Sequence, residues 1–119
     1  GAPWTSNSTG LLRAFHWMGT TWTQVGDDLI GDAANDRFGY DVALSSDGTR
    51  LAVGADAARK VRVFDLTTGG TWTQVGKEIG STADVWFGAT IALSSNGTRL
   101  AIGAPNDDGL VAVFDCESR

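Results

Sequence analysis

Few side chains in this sequence of 119 residues have the type and spacing that chemistry requires. His16 is the only histidine, and its neighbours Phe15 and Trp17 favour a packing or surface role over that of a general base. The serine pairs at 45–46 and 94–95 contain possible nucleophiles, but no histidine or lysine lies close enough in sequence to activate them. The residues therefore predict that the chain is not an enzyme.

A metal or cofactor site is also not expected. Asp107 and Asp108 lie in the short polar loop 105–109, which offers far fewer oxygen donors than the six to eight that Ca²⁺ prefers. Cys116 is the single cysteine, so an internal disulfide and a multi-thiolate site are both excluded. Two interpretations of Cys116 stay open, an unpaired thiol and a half-cystine whose partner lies outside this sequence.

The charge pattern limits the classes of partner. Acidic residues outnumber Lys and Arg by 14 to 9, the net charge is -5, and the basic residues are scattered singly. Nucleic acids and anionic lipids are therefore not expected as partners. Apolar runs are much shorter than the roughly 20 residues of a membrane-spanning helix. Because residue 1 starts neither a signal peptide nor an initiator methionine, we expect the chain to be cut at its start.

Two N-glycosylation sequons point to the secretory pathway. Asn7-Ser8-Thr9 and Asn96-Gly97-Thr98 both have the Asn-x-Ser/Thr pattern without proline at the middle position. The sequence thus predicts glycosylation at Asn7 and Asn96, and an extracellular or cell-surface location.

The strongest signal is an internal repeat. The segment LSSDGTRLAVGA at 44–55 returns as LSSNGTRLAIGA at 93–104, and TWTQVG at 21–26 returns at 71–76. Equivalent residues lie 49 or 50 positions apart. A period of this length is typical of proteins built from stacked supersecondary units.

Each unit contains short strands joined by turns. Asp47-Gly48 is a dipeptide that tolerates positive φ and favours a tight hairpin between strands at 40–45 and 50–55. Further strands are predicted at 11–17, 21–26, 61–65 and 71–76, and the second unit repeats the order at 90–94, 99–104 and 110–115. No segment has helical periodicity, so the predicted fold class is all-β.

The repeat favours a β-propeller built of four-stranded antiparallel blades. Leu51–Ala55 and Leu100–Ala104 are small or branched and uncharged, as inner strands covered on both faces require, whereas a sandwich would not repeat its strands as a set. We expect residues 1–26 to be a partial blade with its last strands, 27–76 a complete blade, and 77–119 a blade lacking its last strand.

About two and a third blades do not close a ring, which needs at least about four. We therefore expect the chain to be a piece of a longer propeller. A ring completed by several copies of the chain is the alternative.

Phe38-Gly39 and Phe87-Gly88 are each followed about 15 residues later by Gly54-Ala55 or Gly103-Ala104-Pro105. This pattern resembles the FG-GAP repeat that builds the propeller of integrin α subunits and of many secreted or cell-surface proteins, and the TWTQVG strand is similar to one subgroup. Short pieces also look like the WD repeat, but its Gly-His pair and Trp-Asp ending are absent. Many FG-GAP repeats hold calcium in the first hairpin, which here carries a single carboxylate or amide, so the metal is not carried over.

The resemblance implies a propeller whose inter-blade loops line the surface that partners contact. The two repeats differ mainly in such loops, at 27–37 against 77–86 and at 56–60 against 105–109. The predicted function is a non-catalytic extracellular structural or protein-interaction module, and the alternative is a lectin-like carbohydrate-binding module that uses loop tryptophans. The candidate partner-binding residues are Trp4, Arg37, Trp86, Asp107 and Asp108.

Overall fold

The computed structural model describes residues 1–80, 86–105 and 109–115 of the chain. The described residues form an all-β protein of several antiparallel sheets, as predicted. The chain also contains one turn of helix, α1, at Thr5–Ser8. In the described part of the chain, no helix has the length and apolar character needed to cross a membrane.

Ten strands run along the chain. They are β1 (Leu11–Trp17), β2 (Trp22–Ile30), β3 (Phe38–Leu44), β4 (Arg50–Ala55), β5 (Lys60–Leu66), β6 (Trp72–Gln74), β7 (Ile79–Gly80), β8 (Thr90–Leu93), β9 (Arg99–Ala104) and β10 (Leu110–Asp115).

These strands pair into three sheets. Sheet 1 is the hairpin β1-β2, sheet 2 has the order β3-β4-β5-β6, with β7 also on β5, and sheet 3 has the order β10-β9-β8. Paired strands are neighbours in sequence except β5 and β7, which are separated along the chain by β6. The strand over 11–17 has the predicted bounds, whereas β2 extends beyond 26 to Ile30 because its far end pairs with Leu11 and Leu12.

The central strand β4 is buried along its whole length. Leu51, Val53 and Ala55 belong to the apolar cluster shared with sheet 1, and Ala52 belongs to the cluster shared with sheet 3. The alternation of side chains along a strand sends successive residues to opposite faces, so sheet 2 lies between its two neighbours. This burial on both faces explains why the segment has no alternation of apolar and polar residues.

Hydrogen bonds fix how the sheets stack. The Trp72 indole donates to the Val25 carbonyl of sheet 1 at 3.0 Å. Between sheets 2 and 3, the Ile91 amide donates to the Asp41 carboxylate at 2.8 Å. The two bonds join residues 47 and 50 positions apart, so each sheet contacts the sheet that follows it in the repeat.

The hairpin turn differs from the prediction in its geometry. Gly48 has a left-handed φ of 75° and donates its amide to the Ser45 carbonyl, but Asp47 does not share the positive φ. Instead, the Asp47 carboxylate accepts hydrogen bonds from the Ser45 hydroxyl and the Thr49 amide. Asn96 makes the corresponding bonds in the second repeat. The Asp or Asn side chain therefore stabilises the turn by accepting hydrogen bonds from residues on both sides of it.

Candidate functional site

Loops from different sheets meet at one end of the molecule. The loop before β1 is tied to the loop before β3 by backbone bonds from Asn35 to Asn7 at 3.0 Å and from Arg37 to Ser8 at 2.7 Å. The segment beginning at Trp86 belongs to the start of sheet 3 and reaches the same end. Backbone hydrogen bonding of this kind holds surface side chains in fixed positions.

Arg37 lies at the centre of this end. Its Cζ atom is 5.4 Å from the ring centroid of Trp4, 5.3 Å from that of Tyr40 and 5.0 Å from that of Trp86. Each distance is within the range of a cation–π contact. Trp4 and Tyr40 also meet edge to face, with centroids 6.4 Å apart. We call these four residues, together with Asp56, the Arg37 cluster.

The repeat explains why Arg37 and Trp86 face the same site. Each immediately precedes a Phe-Gly pair, and each has a left-handed φ, 58° for Arg37 and 68° for Trp86. The Arg37 carbonyl accepts a bond from the Tyr40 amide, and the Trp86 carbonyl accepts one from Ala89. An uncommon backbone conformation that recurs at equivalent positions places two different side chains at one surface.

Asp56 forms an ion pair with Arg37 on the buried side of the cluster. Its carboxylate Oδ1 lies 3.0 Å from Arg37 Nε, and the Asp56 side chain is fully buried. Burial raises the pKa of the Asp56 carboxyl above its ordinary value, and the neighbouring Arg37 opposes this rise. The other two repeats have Pro3 and Pro105 at the position of Asp56. The carboxylate is therefore present only in the repeat that contains Arg37.

The rings of the cluster remain open to solvent. Trp4 is 63% exposed, and Tyr40 and Trp86 are each 41% exposed. Exposed indole and phenol rings around a positioned guanidinium offer apolar area, a hydrogen-bonding hydroxyl and planar N–H donors at one place. Such a surface is suited to binding a partner.

Three of the five predicted partner-binding residues are therefore brought together, namely Trp4, Arg37 and Trp86. Asp107 and Asp108 lie outside the described residues, as does Cys116. The predicted glycan acceptors Asn7 and Asn96 are both exposed. Asn7 lies in α1 near the cluster, and Asn96 lies in the hairpin turn of sheet 3.

Sequence comparison of the repeats missed Tyr40 and Asp56. Tyr40 was assigned to an alternating strand, and its position after Phe38-Gly39, where the other repeat has Ala89, was its only signal. Asp56 carried a clearer signal, because it replaces the proline of the Gly-Ala-Pro pattern. Arg37 and Asp56 occur together in one repeat, whereas the next repeat has Trp86 and Pro105 at these positions. This joint difference indicates an ion pair.

A concave surface lies elsewhere, beside β1 and β2. This cavity of about 380 Å³ is lined by aromatic side chains, including Phe15, Trp17 and Trp22, and by the turn 45–49. His16 is in its lining, among apolar neighbours. Within the described ranges, no group of three or more His, Cys, Asp or Glu side chains is placed to hold a metal ion.

The fold thus defines the class of this protein as an all-β protein of stacked antiparallel sheets, with an aromatic surface at one end. No protein-family model, curated protein or solved structure matches the chain.

Proposed function

We propose that the chain is a run of FG-GAP-type propeller blades and serves as a non-catalytic interaction module at the cell surface or outside the cell. A protein partner binds it through the Arg37 cluster. The observation that carries this proposal is the placement of one arginine among three exposed aromatic rings.

The composition of the cluster supports a protein partner. Trp, Tyr and Arg are the residue types most enriched where alanine substitution costs binding energy. Arg37 is also held before any partner arrives, because Asp56 pairs with its Nε and three rings flank its guanidinium. Groups that are already ordered lose less entropy on binding.

The blade assignment is supported by the topology of sheet 2. Four strands in sequential antiparallel order, an inner strand buried on both faces and a repeat period of about 50 residues are all properties of propeller blades. Successive sheets are also joined by hydrogen bonds, from Trp72 to Val25 and from Ile91 to Asp41.

The proposal is tested with the protein immobilised and exposed to an extracellular protein fraction of its source. Wild type, Trp86→Ala and Trp22→Ala are compared, because Trp22 is also an exposed tryptophan but lies in the cavity beside β1 and β2. We expect at least one protein that wild type and Trp22→Ala retain and Trp86→Ala loses. If the three proteins retain the same set, the cluster is not the binding surface.

Carbohydrate binding is the second candidate function, favoured by the exposed faces of Trp4, Tyr40 and Trp86, since indole and phenol rings stack on sugars. A glycan array decides between the two. Sugar signals that disappear with Trp86→Ala favour a lectin-like module, and an array without signal removes this candidate.

The extracellular location depends on the sequons. Material from the native source is treated with a glycosidase that releases N-linked glycans, and the peptides containing Asn7 and Asn96 are weighed before and after. A mass loss on either peptide supports the secretory route. Unchanged masses together with a cytosolic origin would contradict it.

A further inference from the structure

The Arg37 side chain carries hydrogen-bond donors that no described residue uses. Its Nε is buried and lies 3.0 Å from the Asp56 carboxylate. Among the described residues, no acceptor is bonded to its terminal nitrogens, Nη1 and Nη2, and solvent reaches both. The cation–π contacts to the three rings involve the charge of the guanidinium and take up none of its N–H groups. The terminal nitrogens of Arg37 are therefore open to a ligand.

Two other arginines of the chain use these donors internally. Arg13 binds Asp28 through Nε at 2.9 Å and through Nη2 at 3.1 Å. Arg50 binds Asp65 in the same way, at 2.7 Å and 2.8 Å. Each contact is the two-point pairing that a guanidinium makes with a carboxylate. Arg37 has the contact through Nε without a described bond from either Nη, so the edge formed by its two Nη groups can take a second carboxylate.

The other open polar groups of the cluster are donors as well. The indole N–H groups of Trp4 and Trp86 and the Tyr40 hydroxyl have no hydrogen-bond partner among the described residues. In contrast, the buried Trp72 indole donates to a backbone carbonyl of sheet 1. An indole only donates hydrogen bonds, and a hydroxyl both donates and accepts. Because the Asp56 carboxylate is fully buried, the open surface offers N–H and O–H donors and a positive charge, which favour an anionic acceptor.

Among anions, a carboxylate fits this surface best. It is planar, carries one charge, and its two oxygens match the spacing of two guanidinium N–H groups. A phosphate group carries about 1.5 to 2 negative charges at neutral pH. Arg37 is the one cation of the cluster and already shares its charge with Asp56, so it does not balance a dianion. The rings around the guanidinium exclude water and strengthen a charged hydrogen bond at this place.

We propose that the Arg37 cluster binds a carboxylate of its protein partner, the side chain of an Asp or Glu residue, through the two Nη groups of Arg37. The aromatic rings then contact the apolar parts of the partner that flank this carboxylate. The inference rests on the proposed function, because it names the chemical group that the partner brings to the site.

The test follows the indole N–H resonances of the isotope-labelled chain at neutral pH. Two capped tripeptides are added in separate titrations, acetyl-Ala-Glu-Ala-amide and acetyl-Ala-Gln-Ala-amide, which differ only in the carboxylate. We expect saturable shifts for Trp4 and Trp86 that are at least about fivefold larger with the Glu peptide than with the Gln peptide at equal concentration. The Trp22 resonance, which lies outside the cluster, should not move. Equal shifts with both peptides, or none with either, would contradict the proposal.

Two arginine variants identify the group that binds the carboxylate. Arg37→Lys keeps a positive charge beside Asp56 but loses the edge of two nitrogens, so the difference between the two peptides should fall by more than about half. Arg13→Lys is the matched control and should keep the full difference, because Arg13 already pairs with Asp28. An undiminished difference in Arg37→Lys would contradict binding through the Nη groups. If Arg37→Lys does not fold, the comparison of the two peptides on wild type decides alone.

Two further ligands distinguish a protein carboxylate from other anions. Methyl glucuronide presents a carboxylate on a sugar ring, and inorganic phosphate presents the other common anion. Weaker binding of both than of the Glu peptide supports a protein side chain, and tighter binding of either would overturn that assignment.

These titrations use no partner from the native source. A partner that is lost with Trp86→Ala, together with equal responses to the two peptides, would support the binding surface and reject the carboxylate. A response to the Glu peptide without a captured partner would do the reverse. The two proposals therefore fail separately.

Discussion

At the scale of single residues, the Arg37–Asp56 pair defines the candidate site. A carboxylate that is fully buried loses its hydration, and one arginine on a partly exposed loop offsets only part of that cost. The pair therefore contributes little to folding stability, while it fixes the guanidinium under the rings. Such a pair suits a binding surface, where a fixed position of the guanidinium matters more than a contribution to folding stability.

The pH dependence of stability tests this description of Asp56. Because the folded pKa of Asp56 lies above its ordinary value of 3.8, the folded protein binds this proton more tightly than the unfolded chain. The contribution of Asp56 to stability is therefore present below about pH 3.8 and is lost as the pH rises through the folded pKa. In urea unfolding, the free energy of unfolding of Asp56→Asn relative to that of wild type should increase from pH 3 to pH 7.

The control for this measurement is Asp27→Asn, which changes an exposed carboxylate. The stability difference of this variant from wild type is measured at the same pH values and subtracted from that of Asp56→Asn. A remaining difference for Asp56→Asn that is flat, or that falls as the pH rises, would contradict the burial cost at Asp56.

Sequence alone located part of this site. Arg37 and Trp86 were predicted because one repeat has arginine where the other has tryptophan, and Trp4 was predicted as a further loop tryptophan. Tyr40 and Asp56 were not predicted, since their contacts depend on the left-handed backbone at residue 37 and on the pairing of β3 with β4, which sets Phe38 opposite Ala55. A strand pattern indicates which residues alternate but not which loops meet.

At the scale of the elements, the hairpin turn is held by one side chain. The Asp47 carboxylate accepts three hydrogen bonds through Oδ1, and the Asn96 amide oxygen accepts the same three in the second repeat. Asp47→Ala should therefore cost about 1–2 kcal/mol of stability. Asp47→Asn should stay within about 0.5 kcal/mol of wild type, because Asn96 shows that an amide makes these bonds. Chemical denaturation of both variants is the measurement, and equal losses would contradict this role.

The two equivalent arginines offer a second comparison between elements. Arg50 is buried and makes paired bonds of 2.7 Å and 2.8 Å to the Asp65 carboxylate, whereas Arg99 and Asp115 form an exposed pair. Arg50→Met leaves Asp65 without its partner and should cost about 3–5 kcal/mol. Arg99→Met should cost less than about 1 kcal/mol. Similar losses of unfolding free energy for the two variants would show that sheet 3 does not leave this position open.

Most strands were predictable because the repeat and the hairpin dipeptides mark them. The strand that contains TWTQVG was predicted at 21–26 and 71–76 but with the wrong ends, since β2 continues to Ile30 while the equivalent stretch of sheet 2 is divided into β6 and β7. The two copies share TWTQVG and then diverge in sequence, so the repeat predicts only the portion of the strand within this shared segment.

At the scale of the whole molecule, stacking predicts a gradient of local stability. Sheet 2 has neighbours on both faces, while β1 and β10 belong to sheets with one described neighbour. Proteins built from stacked units open more easily at their ends. We expect the amides of Ala52 and Val53 to exchange with deuterium at least about tenfold more slowly than those of Val111 and Phe15. Uniform exchange across the three sheets would contradict stacking of separate units.

The Arg37 cluster, which we propose as the binding surface, is also a property of the whole molecule, because its residues come from the starts of three successive repeat units. Trp4 follows the segment that pairs with β1, Arg37 precedes β3, and Trp86 precedes β8. Propeller blades and an extracellular location remain predictions, supported by the repeat and the sequons.

The central claim is that the Arg37 cluster is the surface that binds a partner. The most direct measurement is the Kd of a partner identified by the immobilised protein, determined for wild type, Trp86→Ala and Trp22→Ala. Truncating a tryptophan at the centre of a binding surface typically costs 2 kcal/mol or more, which corresponds to about a 30-fold weaker Kd. We predict this loss for Trp86→Ala and a change of less than about twofold for Trp22→Ala. Equal affinities for wild type and Trp86→Ala would contradict the claim.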